Sequence, residues 1–162
     1  ELIRRNISSF NTEIALGDDI VFTLATLLDA KKLSVIENDG YYYRYNGNSI
    51  THSFSEKRID ELCYLCENIN HICKSKGYDA YKDLEFKRQL SVTTTMLISS
   101  NRRFFERRKL LKKLRRTDTV KNIFSDNKYP IMSMAEKIKL YLLKHKCYTM
   151  LIILAQLKKT NR

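Results

Sequence analysis

The sequence predicts a mainly α-helical chain with one small β-hairpin near its N-terminal end. Apolar residues recur at helical spacing through most of the 162 residues, and the part from residue 56 onward is helical in character throughout. Asp39-Gly40 lies between two segments of extended character, 33–38 and 41–45, and this dipeptide is common in two-residue hairpin turns. Because 43% of the residues are hydrophobic, the chain can bury a core, and its length suggests one domain or a domain with an appendage.

The first predicted helix covers 19–32 and begins at an acidic pair, Asp18 and Asp19. A carboxylate at a helix start accepts hydrogen bonds from unpaired backbone N–H groups, so capping is the simplest role for either aspartate. One aspartate is enough for a cap. The second carboxylate is therefore available to a site above the helix end.

Four further helices are predicted, at 56–76, 78–100, 102–116 and 132–157, with breaks at Lys76-Gly77 and at 127–130. The low content of 4 Gly and 1 Pro excludes long low-complexity linkers. No charged-then-apolar leader opens the chain, so export is not indicated and a cytoplasmic protein is expected.

The four cysteines lie in segments of helical character and do not form the pattern of a secreted disulfide scaffold. Cys63 and Cys66 form a CxxC pair, and His71 and Cys73 follow. A zinc site is not favoured, because this stretch is predicted to be one continuous amphipathic helix, whereas structural zinc sites usually join two segments around turns.

Charge divides the chain into two parts. Residues 1–60 carry nine acidic and seven basic residues, a net charge of about −2. Because the whole chain has a net charge of +12, residues 61–162 carry about +14. We therefore expect two regions with different partners, 1–55 and 56–162.

The stretch GYYYRYNGNSITHS, Gly40 to Ser53, completes an ordered set of features. An acidic pair begins an apolar helix, a short predicted strand follows, and then comes a tyrosine-rich predicted strand with an arginine and a Ser-Ile-Thr sequence. This order resembles the C-terminal end of the catalytic domain of family 2 glycosyltransferases, which have a GT-A fold of α/β class and include bacterial enzymes of capsular and cell-wall polysaccharide synthesis. The resemblance covers about 10–55. It rests on Asp18-Asp19, on Tyr41, Tyr43 and Arg44, and on Ser49-Ile50-Thr51.

The resemblance implies inverting transfer of a sugar from a nucleotide-sugar donor to a polysaccharide or lipid-linked acceptor. Asp19 would be the catalytic base, with Asp18 where the family usually has Glu, and Gly17 would let the backbone approach the sugar. Arg44 would contact the diphosphate, although an arginine among tyrosines is also an ordinary strand residue. The remaining implied substrate contacts are Tyr43, Ser49 and His52.

The sequence lacks the family's nucleotide-binding half and its Asp-x-Asp motif. The resemblance therefore implies a C-terminal fragment of a larger transferase, inactive alone, whose hairpin joins the edge of the parent's sheet. It also implies a divalent metal, Mg or Mn, held mostly by residues outside this sequence.

The stretch 101–116 is the most basic in the sequence, with nine Lys or Arg and one acid among apolar residues. This pattern is typical of a helix at a membrane interface, where each charge near anionic lipid contributes about 1 kcal/mol. Such a helix would hold the protein at the inner face of the plasma membrane, beside a lipid-linked acceptor. The predicted interface residues are Arg102, Arg103, Phe104, Phe105, Arg107, Arg108, Lys109, Lys112, Lys113, Arg115 and Arg116.

The apolar run 147–157 is too short to span a bilayer, so a buried helix or a second interfacial helix is expected there. Other interpretations remain open. The basic helices are also compatible with nucleic-acid binding, though without a recognisable motif, with a non-catalytic interaction module, or with a helix bundle that has a solvated basic face. Self-association through exposed apolar surface is a further possibility.

Overall fold

The computed structural model describes residues 1–7, 17–35, 37, 54–125 and 132–160. Within these ranges the chain forms eight helices. They are α1 (Leu2–Asn6), α2 (Asp18–Asp29), α3 (Lys57–Lys76), α4 (Asp79–Ser99), α5 (Phe104–Arg116), α6 (Asp118–Ile123), α7 (Met134–Lys144) and α8 (Tyr148–Thr160).

The predicted α/β class and its β-hairpin are wrong for the residues that the structure describes, because these form helices and no strand or sheet. Residues 33–35 and 37, part of the first predicted strand, lack strand structure, and the rest of the hairpin lies outside the described residues. Leu33 and Val35 are 70% and 88% exposed, so no sheet neighbour covers these two apolar residues.

The helix predictions are largely confirmed. The helices predicted at 56–76, 78–100 and 102–116 agree with α3, α4 and α5 to within two residues at each end. The helix predicted at 132–157 is instead two helices, α7 and α8, because Lys146 takes up a left-handed backbone conformation (φ 60°) between them.

The long helix α4 is central to the fold, since it packs against α3, α5, α6, α7 and α8. These six helices share the larger hydrophobic core, whose fully buried members include Ile59, Leu90, Leu111 and Ile152. Burial of side chains of this size stabilises the fold by about 1.5–3 kcal/mol each.

A smaller core lies between α2 and α3, where Val21 and Ala25 pack against Leu65 and Ile69. Phe86 of α4 contacts both cores and so connects them. A polar contact closes the far end of this helix pair, because the Lys76 ammonium binds the Asp29 carboxylate. The Asn6 side chain also donates to Asp29, with a distance of 3.0 Å between Nδ2 and Oδ2.

Helix α3 ends where the sequence predicts, at Gly77. This glycine has a φ of 76°, a left-handed conformation that glycine adopts without steric cost, and its N–H donates to the carbonyl of Lys74. Among the described residues, no helix is both long enough and apolar enough to cross a membrane.

Candidate functional site

The acidic pair lies in the first turn of α2, as the sequence predicts, but neither aspartate is the N-cap residue. That position belongs to Gly17. The Asp18 carboxylate accepts from the N–H of Asp19 at 2.8 Å, and the Asp19 carboxylate accepts from the N–H of Ile20 at 2.9 Å. Both side chains therefore stabilise the helix start.

Gly17 is required by packing between helices. Its φ is 98°, and a Cβ atom placed there would lie 2.7 Å from Cδ2 of Leu65 on α3. Within the described part of the chain, Gly17 therefore permits a close approach to Leu65, a core residue of α3.

The other predicted sugar-transfer residues, Arg44, Tyr43, Ser49 and His52, lie outside the described residues. The described ranges contain no group of three or more His, Cys, Asp or Glu side chains that could hold a metal ion.

The apolar side of α5 is committed to the protein core. Leu110, Leu111 and Leu114 are buried among residues of the larger core, and Phe104 packs against it. This side of the helix cannot enter a bilayer while the fold is intact, so α5 lacks the free apolar face that an interfacial helix inserts.

The opposite side of α5 carries a row of exposed side chains. Phe105 is 77% exposed, and exposed cations follow it at helical spacings of three, four, seven and eleven residues. Residues at these spacings share one helix face. We call this row the basic stripe; it consists of Phe105, Arg108, Lys109, Lys112 and Arg116.

Two basic residues of α5 have partners within the fold. Arg107 is buried, and its Nη1 donates to the Ile98 carbonyl at 2.7 Å, which satisfies a carbonyl at the end of α4. Lys113 binds Glu56 at 2.7 Å, and this contact holds the pKa of the Glu56 carboxyl below its ordinary value.

The turn before α5 holds two more of the predicted interface residues, Arg102 and Arg103. The Arg103 N–H donates to the Glu106 carboxylate at 3.3 Å, which helps to fix the first turn of α5. Arg102 is half-buried and lines a shallow pocket beside Ser100 and Asn101. Both arginines thus lie at the start of α5, beside the basic stripe.

A concave site lies at the C-terminal end of the basic stripe. Five cations line it, contributed by α5, α6 and the α7–α8 turn, together with the phenol of Tyr148, and its volume is about 400 Å³. We call this site the basic pocket; its lining residues are Lys112, Arg115, Arg116, Lys121, Lys146 and Tyr148. The lining contains no acidic residue, although Lys121 also pairs with the exposed Asp118 at 2.7 Å.

Two side chains of the basic pocket are held by packing. The Arg115 guanidinium lies 5.0 Å from the centre of the Phe124 ring, and its Nε is buried with no hydrogen-bond partner in the described part of the chain. Burial raises the pKa of Tyr148, while Arg115 and Arg116 oppose the rise. The phenol is neutral at physiological pH and can donate a hydrogen bond to an anion.

Lys146 lines the basic pocket, and its backbone has a conformation that is unfavourable for lysine. Its φ of 60° is unusual for a residue with a Cβ, and helix ends of this kind usually have glycine or asparagine. The prediction of interface residues missed Lys121, Lys146 and Tyr148, which lie outside 101–116. The signal available was the run Lys144-His145-Lys146 within a stretch predicted to be continuous helix.

The four cysteines all lie in the described part of the chain, and none of them forms a disulfide bond. Cys63, Cys66 and Cys73 lie on the uninterrupted helix α3, which confirms the prediction of one continuous helix through the CxxC pair. Burial raises the pKa of the Cys66 thiol to about 12, so Cys66 is unreactive in the folded protein.

Comparisons of the chain with protein families, with characterised proteins and with solved structures found no match.

Proposed function

We propose that this protein is a peripheral binding module for anionic membrane surfaces. In this proposal the basic stripe lies against the lipid headgroups, and the basic pocket takes up one headgroup phosphate. The observation that carries the proposal is the continuity of the two, since Lys112 and Arg116 belong to both the stripe and the pocket.

The charges are sufficient for reversible binding. Four cations of the stripe would each contribute about 1 kcal/mol near an anionic surface. Two arginines in the pocket add planar, two-pronged contacts to phosphate oxygens, which lysine cannot make. This mode of binding differs from the one the sequence predicts, because α5 would lie on the headgroups without inserting its leucines.

A membrane surface fits these features better than nucleic acid does. The cations converge on one compact pocket that suits a single headgroup, whereas nucleic-acid phosphates recur along a strand. Phe105 is exposed on the same face as the cations, and an aromatic side chain beside them favours the membrane interface.

Sugar transfer stays a prediction that rests on the resemblance alone. The described contacts of Asp18 and Asp19 are those of a helix start, and they account for both carboxylates without catalysis. Replacing Asp19 by Asn and assaying transfer from a nucleotide-sugar in the protein as it occurs in the cell tests that prediction separately.

The proposal is tested by co-sedimentation with phosphatidylcholine vesicles that contain phosphatidylserine, compared with vesicles of phosphatidylcholine alone. We expect binding to the anionic vesicles only. Reversing three charges of the stripe, Arg108→Glu, Lys109→Glu and Lys112→Glu, should weaken binding by about 100-fold or more, because each lost contact removes about 1 kcal/mol.

The matched control makes the same charge change at exposed lysines elsewhere, Lys31→Glu, Lys32→Glu and Lys74→Glu. This variant should bind nearly as well as the wild type. Equal losses in the two variants would mean that net charge alone drives binding. Failure to bind anionic vesicles, with strongly salt-dependent binding of oligonucleotides, would favour nucleic acid instead.

A further inference from the structure

A small concave site lies at the turn between α4 and α5, beside α8. Its volume is about 230 Å³, below the range of about 300–1,000 Å³ that is typical of clefts for drug-sized ligands, so it suits a small ligand or a single chemical group. We call it the turn pocket; its polar lining residues are Ser99, Ser100, Asn101, Arg102, Arg107 and Gln156. None of these residues lines the basic pocket, so the two sites are separate.

The turn pocket contains a buried guanidinium, that of Arg107. Arg107 is 8% exposed, and arginine keeps its positive charge inside proteins. Its Nη1 donates to the Ile98 carbonyl at 2.7 Å, whereas its Nε is buried with no hydrogen-bond partner in the described part of the chain. None of the ion pairs among the described residues involves Arg107. A buried charge without an opposite charge is costly, so an anion bound beside Arg107 would stabilise the fold.

Two carbonyl groups at the end of α4 already have hydrogen-bond donors. The Ile98 carbonyl accepts from Arg107, and the Leu97 carbonyl accepts from the N–H and the hydroxyl of Ser100 at 3.3 and 2.7 Å. Because a guanidinium has five N–H donors, Arg107 keeps donors for a ligand after it has bound Ile98. The exposed side-chain amide of Asn101 provides two more donors at the same pocket.

Two acidic residues lie near the turn, but neither lines the turn pocket. Glu106 lines the adjoining shallow pocket, and its carboxylate accepts from the N–H of the N-cap residue of α5 at 3.3 Å. Lys113 binds Glu56 at 2.7 Å, and this contact, followed by smaller effects that include the charge of Arg102, lowers the pKa of the Glu56 carboxyl. The turn pocket therefore presents two positive charges, those of Arg102 and Arg107, and no negative one.

We propose that the turn pocket binds one phosphate group, held by the guanidinium groups of Arg102 and Arg107. Guanidinium groups make planar, two-pronged contacts with phosphate oxygens. A phosphate monoester has a charge of about −1.5 to −2 at neutral pH and three acceptor oxygens, which matches two arginines, whereas a carboxylate carries a single charge. Binding here is additional to the membrane contacts of the basic stripe and the basic pocket.

The test follows the Nε–H signal of Arg107 by NMR while the full chain is titrated with inorganic phosphate at constant ionic strength. Arg107→Lys identifies this signal by its loss. We expect phosphate to shift the signal to saturation, and chloride at the same ionic strength to leave it in place. Because the signal belongs to Arg107, phosphate that binds only in the basic pocket does not produce this result.

A second variant tests the other arginine without touching the buried one. Arg102→Gln should weaken phosphate binding by about tenfold or more, because it removes a charged donor group, and it should still fold because Arg102 is only half-buried. The matched control, Arg4→Gln, removes an exposed arginine elsewhere and should bind phosphate like the wild type.

Vesicle binding identifies the source of the phosphate group. Co-sedimentation is measured with phosphatidylcholine vesicles that contain phosphatidic acid, whose headgroup is a phosphate monoester. Weaker binding of Arg102→Gln than of Arg4→Gln would identify a lipid headgroup as the ligand. Equal binding of the two variants, together with the shift produced by inorganic phosphate, would identify a soluble phosphate ester.

Three outcomes would overturn this proposal. They are no shift of the Arg107 signal with phosphate, the same shift with chloride, and equal phosphate affinity in Arg102→Gln and the wild type. Binding to phosphatidylserine vesicles through the basic stripe and the basic pocket is measured separately, and the turn pocket shares no lining residue with the basic pocket. The two proposals can therefore fail separately.

Discussion

Lys146 combines a structural cost with a position in the basic pocket. Helix ends of this kind usually have glycine at the position that Lys146 occupies, and a lysine with a φ of 60° is strained relative to glycine. We therefore expect Lys146→Gly to raise the free energy of unfolding by about 1 kcal/mol, and to weaken binding to anionic vesicles because a pocket cation is lost.

Chemical denaturation and vesicle co-sedimentation measure the two effects. Lys121→Ala is the control, since it also removes a pocket cation but relieves no backbone strain. It should weaken binding without stabilising the fold. Vesicle binding of Lys146→Gly equal to that of the wild type would remove Lys146 from the binding surface.

Gly17 and Gly77 form a natural pair for separating backbone strain from steric overlap. Both have positive φ, but only Gly17 has a neighbour, Leu65, within contact distance of an added Cβ. Gly77→Ala should lower the free energy of unfolding by about 1 kcal/mol, and Gly17→Ala by about 2–3 kcal/mol.

The comparison is made by urea denaturation, with Leu65→Ala as a second background. In that background the two glycine substitutions should cost about the same, because the overlap has been removed. If the two glycine substitutions lower the free energy of unfolding equally in the wild-type background, α2 moves away from α3 to remove the overlap without a loss of stability.

At the scale of elements, the contact between α2 and α3 predicts a specific pH dependence. The hydrogen bond from Lys76, followed by that from Asn6, lowers the pKa of the Asp29 carboxyl from its ordinary value of 3.8. Since the folded pKa lies below the unfolded one, this contribution to stability is present above about pH 4 and is lost as the pH falls through the folded pKa.

We expect Asp29→Asn to lower stability at neutral pH and to make the loss of stability in acid less steep. Denaturation curves at several pH values between neutrality and acid measure this. Lys76→Met should act in the same direction, because it removes the partner. If stability falls as steeply with decreasing pH in Asp29→Asn as in the wild type, a group other than Asp29 is responsible for the loss.

Individual helices could be predicted from the sequence where apolar residues follow a regular spacing and glycine ends the pattern. Helix α3 with Gly77 is the clearest case. The break between α7 and α8 was missed, because no Gly or Pro marks it and lysine seldom adopts the conformation of Lys146. The strand predicted at 33–38 was wrong at 33–35, since a segment of extended character forms a strand only where a neighbour pairs with it.

The side of α5 that is apolar could also be predicted, but what covers it could not. Leu110, Leu111 and Leu114 have the same spacing whether a protein core or a bilayer receives them. The choice depends on α4, which precedes α5 directly, and on α7 and α8, which lie far from α5 in sequence and close to it in the fold.

At the scale of the whole molecule, the net charge of +12 predicts an anionic partner but gives no location for it. The basic pocket depends on tertiary packing, which brings Lys112 close to Lys146 and Tyr148 across more than thirty residues of sequence. The basic stripe, within one helix, was included in the predicted interface. Only the fold shows that Arg107, on the same helix, is buried and does not belong to the stripe.

The fold also separates two kinds of surface. The basic stripe and basic pocket form a charged surface, whereas the lining of the surface between α4, α7 and α8 is mostly apolar. The two surfaces share no lining residue.

The most direct measurement places a fluorescent reporter in the basic stripe. The chain contains no tryptophan, so Phe105→Trp provides a single reporter, and Tyr78→Trp provides a matched exposed reporter away from the stripe. With phosphatidylserine vesicles, the emission of Trp at position 105 should shift to shorter wavelength and become protected from acrylamide quenching, while position 78 stays unchanged. No change at position 105, or the same change at both positions, would contradict the proposal that α5 lies against an anionic membrane surface.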